Sequence, residues 1–323
     1  MRIAVIGAGA MGSLATYLLQ AAGAEVVLYE RRAERLRFLR AEGVVLRGAV
    51  EGRCAPEVGE EGGAAAPYDA LVLAVEAGKT GEALRPLSPF VHRDSIYLSL
   101  QDGFAAAELA SLVGAERTVV ALPWVSAEES ATGVVEVEGM RELRVGPFAE
   151  RNVGGWEDLA SALARACPCG VKAVPDIAGS AWERLQCAAA VSGICAVSGM
   201  VPAEAHADGR LDALCAEAAE ECRGAAAVAG VELPRPGSAW EEAVWENLRP
   251  PMQRRAEAGE TTEVAWMSGR VVETTRGSGT AVPVHAALLT LIKEIEGGRH
   301  RPGEVAVREL LRRVEEEKGM SLR

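Results

Sequence analysis

The sequence predicts an α/β domain, residues 1–175, followed by an all-α domain, residues 176–323. Three observations predict this arrangement. The 323 residues suggest about two domains, at roughly 100–200 residues for each. Short apolar runs alternate with helix-like segments in the first half, which is typical of a doubly wound, mostly parallel sheet. After Pro175 the pattern changes to long helical segments.

The chain opens with a complete strand–helix–strand unit. An apolar run leads into Gly7-Ala8-Gly9-Ala10-Met11-Gly12, a helix-like segment follows, and a second apolar strand covers Glu25–Tyr29. In a G-x-G-x-x-G turn the first glycine permits a tight turn, and the second lets the backbone approach a pyrophosphate. The third allows the helix to pack closely on the strand. The unit therefore predicts a Rossmann domain that binds a dinucleotide through Gly7–Gly12.

The end of the second strand bears on which nicotinamide cofactor binds, because the ribose 2′ position lies there. The residues are Glu30, Arg31 and Arg32, ahead of a predicted helix over Ala33–Glu42. A carboxylate suits the 2′-hydroxyl of NAD, whereas arginine suits the 2′-phosphate of NADP. Both types are present, so the sequence leaves NAD or NADP open.

Later segments continue the pattern of each domain. In the first, we predict strands over Ala70–Val75, Ser95–Leu100, Thr118–Leu122, Gly133–Val137 and Glu142–Val145, then a helix and strand between Glu157 and Val174. In the second, we predict helices over Ala181–Met200, Leu211–Gly230, Ala239–Glu257, Thr261–Arg276, Val284–Gly297 and Pro302–Glu317.

Composition narrows the class of ligand. The formal net charge of −12 opposes binding to nucleic acid or to an anionic membrane, so we expect a small-molecule substrate. The seven cysteines form no C-x-x-C pair, and the four histidines lack metal-ligand spacing, so we expect no metal. No stretch reaches the roughly 18 apolar residues of a membrane span, which favours a cytoplasmic protein.

Further short motifs follow the glycine-rich turn. They are Leu100-Gln101-Asp102-Gly103, Ala181-Trp182-Glu183-Arg184-Leu185, Glu221 with Gly230-Val231-Glu232-Leu233-Pro234, Ala258-Gly259-Glu260-Thr261-Thr262-Glu263 and Ser278-Gly279-Thr280-Ala281-Val282-Pro283. In order and spacing, the chain resembles the ketopantoate reductase family over essentially its whole length. The resemblance implies a Rossmann domain, a helical domain, an active site in the cleft between them, and NADP held by Arg31. We also expect a homodimer through the helical domain.

Several family site positions carry other residues here. The family's catalytic lysine falls on Arg184 and its two helix asparagines on Ala188 and Ser192. The lysine after the strand ending at Val75 is Glu76, the asparagine of the L-Q-N-G turn is Asp102, and a substrate-contacting serine falls on Pro251, whereas Glu263 is retained. Arginine neutralises a carboxylate but is a poor acid at neutral pH. We therefore expect an NAD(P)-dependent oxidoreductase that transfers hydride at a carbonyl/alcohol or imine/amine carbon of a small polar substrate other than ketopantoate.

Candidate residues follow from these positions. The catalytic set is Arg184, Glu76, Asp102 and Glu263; Val75, Glu263, Glu30 and Arg31 join the glycine-rich turn at the cofactor; and Lys79, Trp124 and Ser192 are expected at the substrate. Trp124 is included because it follows a predicted strand at the end where α/β sheets bind ligands. Two alternatives stay open: genuine 2-dehydropantoate 2-reductase activity, with Arg184 or Lys79 replacing the lysine, and a catalytically inactive dinucleotide-binding regulator. A pairing of Glu76 with Arg184, or a turn-capping role for Asp102, is also open.

Overall fold

The computed structural model describes residues 1–59, 66–101, 104–130, 133–234 and 249–321. The chain divides into two compact units, Met1–Ile177 (unit 1) and Ala178–Arg323 (unit 2). Unit 1 combines a sheet with helices and unit 2 is helical, which confirms the predicted fold class. Across the described ranges, no helix has both the length and the apolar character needed to cross a membrane.

Unit 1 contains ten strands and five α-helices among its described residues. In chain order these are β1 (Arg2–Ile6), α1 (Ala10–Ala21), β2 (Glu25–Tyr29), α2 (Ala33–Glu42), β3 (Val44–Gly48), β4 (Gly52–Cys54), β5 (Glu57–Gly59), β6 (Tyr68–Leu73), α3 (Thr80–Leu84), β7 (Val91–Ser99), α4 (Ala105–Val113), β8 (Thr118–Glu129), β9 (Val135–Pro147), α5 (Trp156–Ala166) and β10 (Val171–Ala173).

The strands form one sheet in the order β4-β3-β9-β8-β7-β6-β1-β2-β5, with β10 beside β9. Pairing is parallel except between β3 and β4 and between β8 and β9, so the predicted mostly parallel sheet is confirmed. The central strands are apolar along their whole length because both faces are covered. One face packs Ile3 and Leu28 with α1 and α5, and the other packs Leu71 and Leu109.

Three details of unit 1 differ from the prediction. Residues 44–59 form the strands β3, β4 and β5, none of which was predicted. The two β-rich stretches beginning at Gly133 and Glu142 are one strand, β9, whose pairing with β8 shifts register twice. The placement of Trp124 at a strand end is wrong, because β8 continues to Glu129. The parallel pairing of β8 with β7, however, ends at Val120, four residues before Trp124.

Unit 2 is built from helices α6 (Ile177–Ser198), α7 (Pro202–Ala207), α8 (Gly209–Val228), α9 (Pro251–Ala258), α10 (Ser268–Thr275), α11 (Pro283–Glu296) and α12 (Glu304–Ser321). Part of the helix predicted over Ala239–Glu257 falls on residues 239–248, which lie outside the described residues. The helix predicted over Thr261–Arg276 is wrong in its first half. Gly259, at φ +69°, ends α9, and the N–H and hydroxyl of Thr262 both donate to Glu296 Oε1 at 2.8 and 2.7 Å. These bonds hold a turn that local helix propensity does not anticipate.

Candidate functional site

The carboxyl ends of four parallel strands meet at one edge of the unit 1 sheet. Backbone hydrogen bonds of 2.9 Å join Gly7 N–H to Tyr29 O, Ala74 N–H to Ile6 O and Leu100 N–H to Leu73 O. The turns after β1, β2, β6 and β7 therefore lie side by side. This is the edge at which open α/β sheets bind ligands.

The three glycines of the turn after β1 have different surroundings. Gly7 has φ +98°, and a Cβ there would lie 2.8 Å from the Ala74 carbonyl oxygen. A Cβ on Gly12 would lie 1.8 Å from the carbonyl oxygen of Gly7. Gly9 has φ −70°, and a Cβ there would have no heavy atom of the described residues within 4 Å. The fold itself requires glycine at 7 and 12, whereas no described residue requires it at 9.

The space at Gly9 and the start of α1 together fit a pyrophosphate. Gly9 is the N-cap residue of α1, no side chain caps this helix, and its first turn carries no acidic residue. The first N–H groups of a helix lack intrahelical acceptors and carry a partial positive charge, which suits an anion. A ligand backbone approaching this turn needs the volume that a side chain at position 9 would fill.

Glu30 follows β2, and its carboxylate is already engaged by neighbouring residues. Its side chain is 6% exposed and accepts bonds from the N–H groups of Arg31 and Arg32 at 2.8 and 2.9 Å. The Arg32 guanidinium lies 2.7 Å from Glu30 and 2.9 Å from Glu129. Burial acts to raise the pKa of Glu30, but the bonds from Arg32 outweigh it and hold that pKa below its ordinary value.

Arg31 points instead to α3. Its guanidinium lies 2.9 Å from the Glu82 carboxylate, and both side chains are well exposed. A pair of this kind is held weakly in water, so Arg31 is available to exchange Glu82 for another anion. The two arginines beside the expected ribose site therefore differ: among the described residues, Arg32 pairs with two carboxylates, whereas Arg31 pairs with one exposed carboxylate.

Arg35 on α2, which the sequence did not indicate as a site residue, binds the backbone of the glycine-rich turn through its side chain. It is 4% exposed, and its Nε and Nη2 donate to Ala8 O and Ser13 Oγ, both at 2.9 Å. Nη1 donates to the Gly133 carbonyl, and Glu129 lies 3.4 Å from Nε. Burial lowers the pKa of Arg35. No local motif signals this role, because the partners lie up to 98 residues away in the chain.

The turn after β6 carries Val75, Glu76 and Lys79. Glu76 and Lys79 are exposed, and Val75 is half-buried. Gln101, buried after β7, donates from Nε2 to Glu76 O at 3.2 Å and to Thr80 Oγ1 at 3.0 Å. The backbone at Glu76 is therefore fixed against the end of β7, and its side chain is presented to solvent at the same edge as Gly9.

Two further candidates from the sequence have a different status. Asp102 lies outside the described residues. Trp124 is 5% exposed within β8, and the Arg144 guanidinium lies 4.5 Å from the centre of its ring. Glu142 in turn pairs with Arg144 and lies 2.6 Å from Lys172 Nζ. Trp124 is thus part of a packed, charged cluster on β8, β9 and β10.

In unit 2, one face of α6 carries three of the predicted positions. Arg184, Ala188 and Ser192 are spaced by four residues and therefore follow one another along the helix. Ser192 and Ala188 are 5% and 6% exposed, while Arg184 is half-buried. Glu263 lies in the turn before α10, where the Arg255 guanidinium is 3.2 Å from its carboxylate. The retained carboxylate is therefore partly neutralised within unit 2.

A second buried polar cluster in unit 2 involves Glu221 and His285. Glu221, on α8 and 8% exposed, accepts bonds from the N–H groups of Val284 and His285 at 2.8 and 3.0 Å, which caps the first turn of α11. Burial raises the pKa of Glu221 to about 7 and lowers that of His285 to about 4. His285 Nε2 lies 2.9 Å from Ala218 O and Nδ1 3.2 Å from Ser268 Oγ. These bonds give the cluster a structural role.

Comparison with known proteins gives concordant matches. Residues 3–150 match the family described as ketopantoate reductase PanE/ApbA, and residues 176–296 match its C-terminal family. A 2-dehydropantoate 2-reductase of Pyrobaculum aerophilum is 31% identical over 309 residues, covering 90% of this chain and 97% of that protein.

Within the described ranges, no group of three or more His, Cys, Asp or Glu side chains is arranged to hold a metal ion.

Solved structures share the fold. A D-mandelate dehydrogenase bound to NADH and anilino(oxo)acetate superposes with a TM-score of 0.83 at 20% identity, covering 92% of this chain and 99% of that one. A dimeric ketopantoate reductase from Staphylococcus aureus gives 0.73 at 13% identity, covering 93% and 100%. At these identities the likeness establishes the fold alone.

Proposed function

The chain belongs to the ketopantoate reductase family and is an NAD(P)-dependent oxidoreductase, and on that premise we propose that its substrate is a small polar molecule other than ketopantoate. The reaction we propose is hydride transfer at a carbonyl/alcohol or imine/amine carbon. The observation that carries the cofactor assignment is Gly9, the one glycine of the G-x-G-x-x-G turn whose Cβ position no described residue obstructs. When bound, a nicotinamide dinucleotide supplies or accepts the hydride.

The residues of unit 1 bind and orient that cofactor. The N–H groups at the start of α1 face its pyrophosphate, and Gly9 leaves room for it. We expect Gly9→Val to abolish the thermal stabilisation by NADH or NADPH while changing the melting temperature of the apoprotein little. Gly209→Val is the matched control, since a Cβ at Gly209 in α8 is equally unobstructed. If wild type gains no stability from either dinucleotide, the assignment fails.

For cofactor choice, we propose that the enzyme accepts both NADP and NAD. Glu30 suits a ribose 2′-hydroxyl, and the exposed Arg31 can leave Glu82 for a 2′-phosphate. The NADP/NAD ratio of dissociation constants in wild type and in Arg31→Ala tests this. We expect the substitution to weaken NADP binding and to leave NAD binding unchanged. An unchanged ratio would remove Arg31 from the 2′ site.

The substrate proposal rests on the row along α6. A guanidinium at Arg184 binds a carboxylate through two parallel hydrogen bonds, but it is a poor proton donor at neutral pH. The methyl group of Ala188 offers no hydrogen bond, and the hydroxyl of Ser192 offers one in place of an amide. This row of side chains favours a substrate with a carboxylate and with polar groups unlike those of ketopantoate.

Steady-state assays with ketopantoate test this reading. We expect little turnover by wild type and no recovery in Arg184→Lys, even though a lysine donor is worth roughly 10²–10⁴ in rate where the rest of a site is intact. Arg308→Lys, on the exposed side of α12, is the control. Robust turnover of ketopantoate by wild type would refute the proposal.

Genuine 2-dehydropantoate 2-reductase activity is the second candidate, and the relative from Pyrobaculum aerophilum favours it. In that case Arg184 or the exposed Lys79 would have to replace the missing lysine. Lys79→Met separates the two possibilities. It should abolish ketopantoate turnover if Lys79 donates the proton, and it should leave that turnover unchanged if Arg184 alone suffices.

We further propose a homodimer formed through unit 2 and a cytoplasmic location. The dimeric ketopantoate reductase from Staphylococcus aureus supports the first, because its chain covers 93% of this one. Sedimentation of the purified protein checks it, with a single species of twice the 33.9 kDa chain mass as the expected result. Cell fractionation checks the location.

A further inference from the structure

Two cysteine thiols of unit 1 lie in contact between α5 and β10. Cys167 is the C-cap residue of α5, Cys169 follows two residues later, and their Sγ atoms are 3.4 Å apart. Both are reduced, since a disulfide would require about 2.05 Å. Each thiol also donates to the Gly170 carbonyl oxygen, at 3.4 Å from Cys167 and 3.5 Å from Cys169. The chain therefore presents a dithiol.

A tight turn brings the two thiols together. The N–H of Gly170 donates to Cys167 O at 3.0 Å, and Gly170 has φ +77°, which glycine adopts without strain. Pro168 fixes its own φ at the second position of the turn. Consecutive Cα atoms are about 3.8 Å apart, so the Cα atoms of residues 167 and 169 are at most about 7.6 Å apart, and folding of the chain brings them closer. Disulfides span about 4.4–6.8 Å between Cα atoms.

The two thiols differ in access. Cys167 is 6% exposed and lies 4.0 Å from Met140 Sδ, whereas Cys169 is half-buried. A reagent from solvent therefore reaches Cys169 first. Cys167 is placed to attack whatever bond forms on the Cys169 sulfur, because it is already in van der Waals contact with it.

We propose that Cys167 and Cys169 form a reversible disulfide by exchange with a low-molecular-weight disulfide such as oxidised glutathione. The Cys169 thiolate attacks one sulfur of the oxidant, whose S–S bond breaks and releases one thiol. The Cys167 thiolate then attacks Cys169 Sγ and displaces the second thiol. Two protein thiols are oxidised, one small disulfide is reduced to two thiols, and the two cysteine protons end on those thiols.

Charge and burial set the rate of thiol–disulfide exchange at Cys169. Burial, together with the neighbouring Cys167 thiol, raises the pKa of Cys169 to about 12, and the Glu142 carboxylate on β9 adds to the rise. Glu142 is itself paired with Arg144 on β9 and with Lys172 on β10. The thiolate is therefore scarce at neutral pH. Its fraction, and with it the rate of exchange, should increase about tenfold for each pH unit between 7 and 9.

The test uses the full chain incubated with oxidised glutathione, quenched with acid, alkylated and digested with trypsin. Cleavage after Arg165 and Lys172 releases residues 166–172, which carry both cysteines. The expected peptide carries no alkyl group and is two hydrogen atoms lighter than the unalkylated dithiol. A thiol reductant added before alkylation converts it to the doubly alkylated form, and it forms faster as pH rises. In Cys167→Ser, the same peptide should instead accumulate glutathione on Cys169, because the resolving thiol is absent.

Cys54 provides the control. It is a half-buried thiol on β4 whose pKa burial raises to about 11, and within the described residues no other thiol hydrogen-bonds to it. We expect only a mixed disulfide there, and Cys54→Ser should leave the reaction at residues 166–172 unchanged. A wild-type peptide that stays reduced up to pH 9 would overturn the proposal. So would one that retains a glutathione adduct as the Cys167→Ser peptide does.

Discussion

Replacing Arg35 with methionine tests how the glycine-rich turn is held. Arg35→Met keeps an unbranched side chain in the buried space but removes every donor. The carbonyl oxygen of Ala8 loses its 2.9 Å bond and keeps only the 3.2 Å bond from Ser13 Oγ, while Gly133 O loses its guanidinium donor. Glu129 loses a cation at 3.4 Å but keeps Arg32 at 2.9 Å.

The expected cost follows from those partners. Hydrogen bonds to a charged group contribute about 1.5–3 kcal/mol each. Removing one partner of a buried ion pair costs about 3–5 kcal/mol. Because Arg32 remains beside Glu129, we expect the free energy of unfolding of unit 1 to fall by no more than this, about 3–5 kcal/mol in all. In a domain of this size, that corresponds to a melting temperature lower by roughly 6–20 °C. The turn around Ala8 must also be ordered by the ligand, so dinucleotide affinity should fall by roughly 5–30-fold.

Hydrogen exchange read by mass spectrometry separates peptides of unit 1 from those of unit 2, and calorimetric titration with NADH measures affinity. Arg37→Met, exposed on the same helix α2, is the control and should change neither quantity. Arg35→Lys should recover part of the stability because one ammonium cannot reach all the acceptors. Unchanged exchange around Ala8 together with unchanged affinity in Arg35→Met would refute the reasoning.

Three further changes have definite expected outcomes. Gly12→Ala places a Cβ 1.8 Å from Gly7 O, so it should destabilise unit 1 by about 1–3 kcal/mol or more in thermal unfolding. Glu82→Ala removes an exposed partner of Arg31; stability should change by less than about 1 kcal/mol, while the measured preference for NADP over NAD increases. The pKa of Glu221 is raised from 4.5 to about 7, so its stabilising contribution is complete below 4.5 and is lost as pH rises through 7. Urea unfolding of Glu221→Gln should therefore gain about 2–3 kcal/mol relative to wild type between pH 5 and pH 8; no pH trend in that difference would contradict the assignment.

The sequence predicted best where structure depends on neighbours in the chain. The glycine-rich turn, the strand before it and the helix after it are specified by the consecutive residues 2–21, and they are found as predicted. The strands between Val44 and Gly59 were missed because they are short and interrupted by glycine and charged residues. Strand β9 was split in two because Gly139 lies inside it, next to two register shifts at which β9 carries the extra residues Glu138 and Arg141.

Roles that depend on distant contacts could not be predicted. Arg35 is one of several arginines in a polar helix, and only its contact with Gly133, 98 residues away, distinguishes it. Glu82 emerged as the partner of Arg31 only once α3 was placed beside the end of β2. The catalytic assignments of Arg184, Glu76 and Glu263 rest on the family resemblance, and they stay predictions that the assays above test.

The unobstructed space around Gly9 allows selection for folding to be distinguished from selection for cofactor binding, two pressures that usually act together. Since a Cβ there would have no heavy atom of the described residues within 4 Å, a library of variants sorted only for folding would accept more residues at position 9 than at positions 7 and 12. Glycine would persist at 9 only under selection for the ligand. Position 9 is therefore the place to engineer a stable, ligand-free scaffold of this architecture. In such a library, the frequency of glycine at position 9 would measure the selection for cofactor binding.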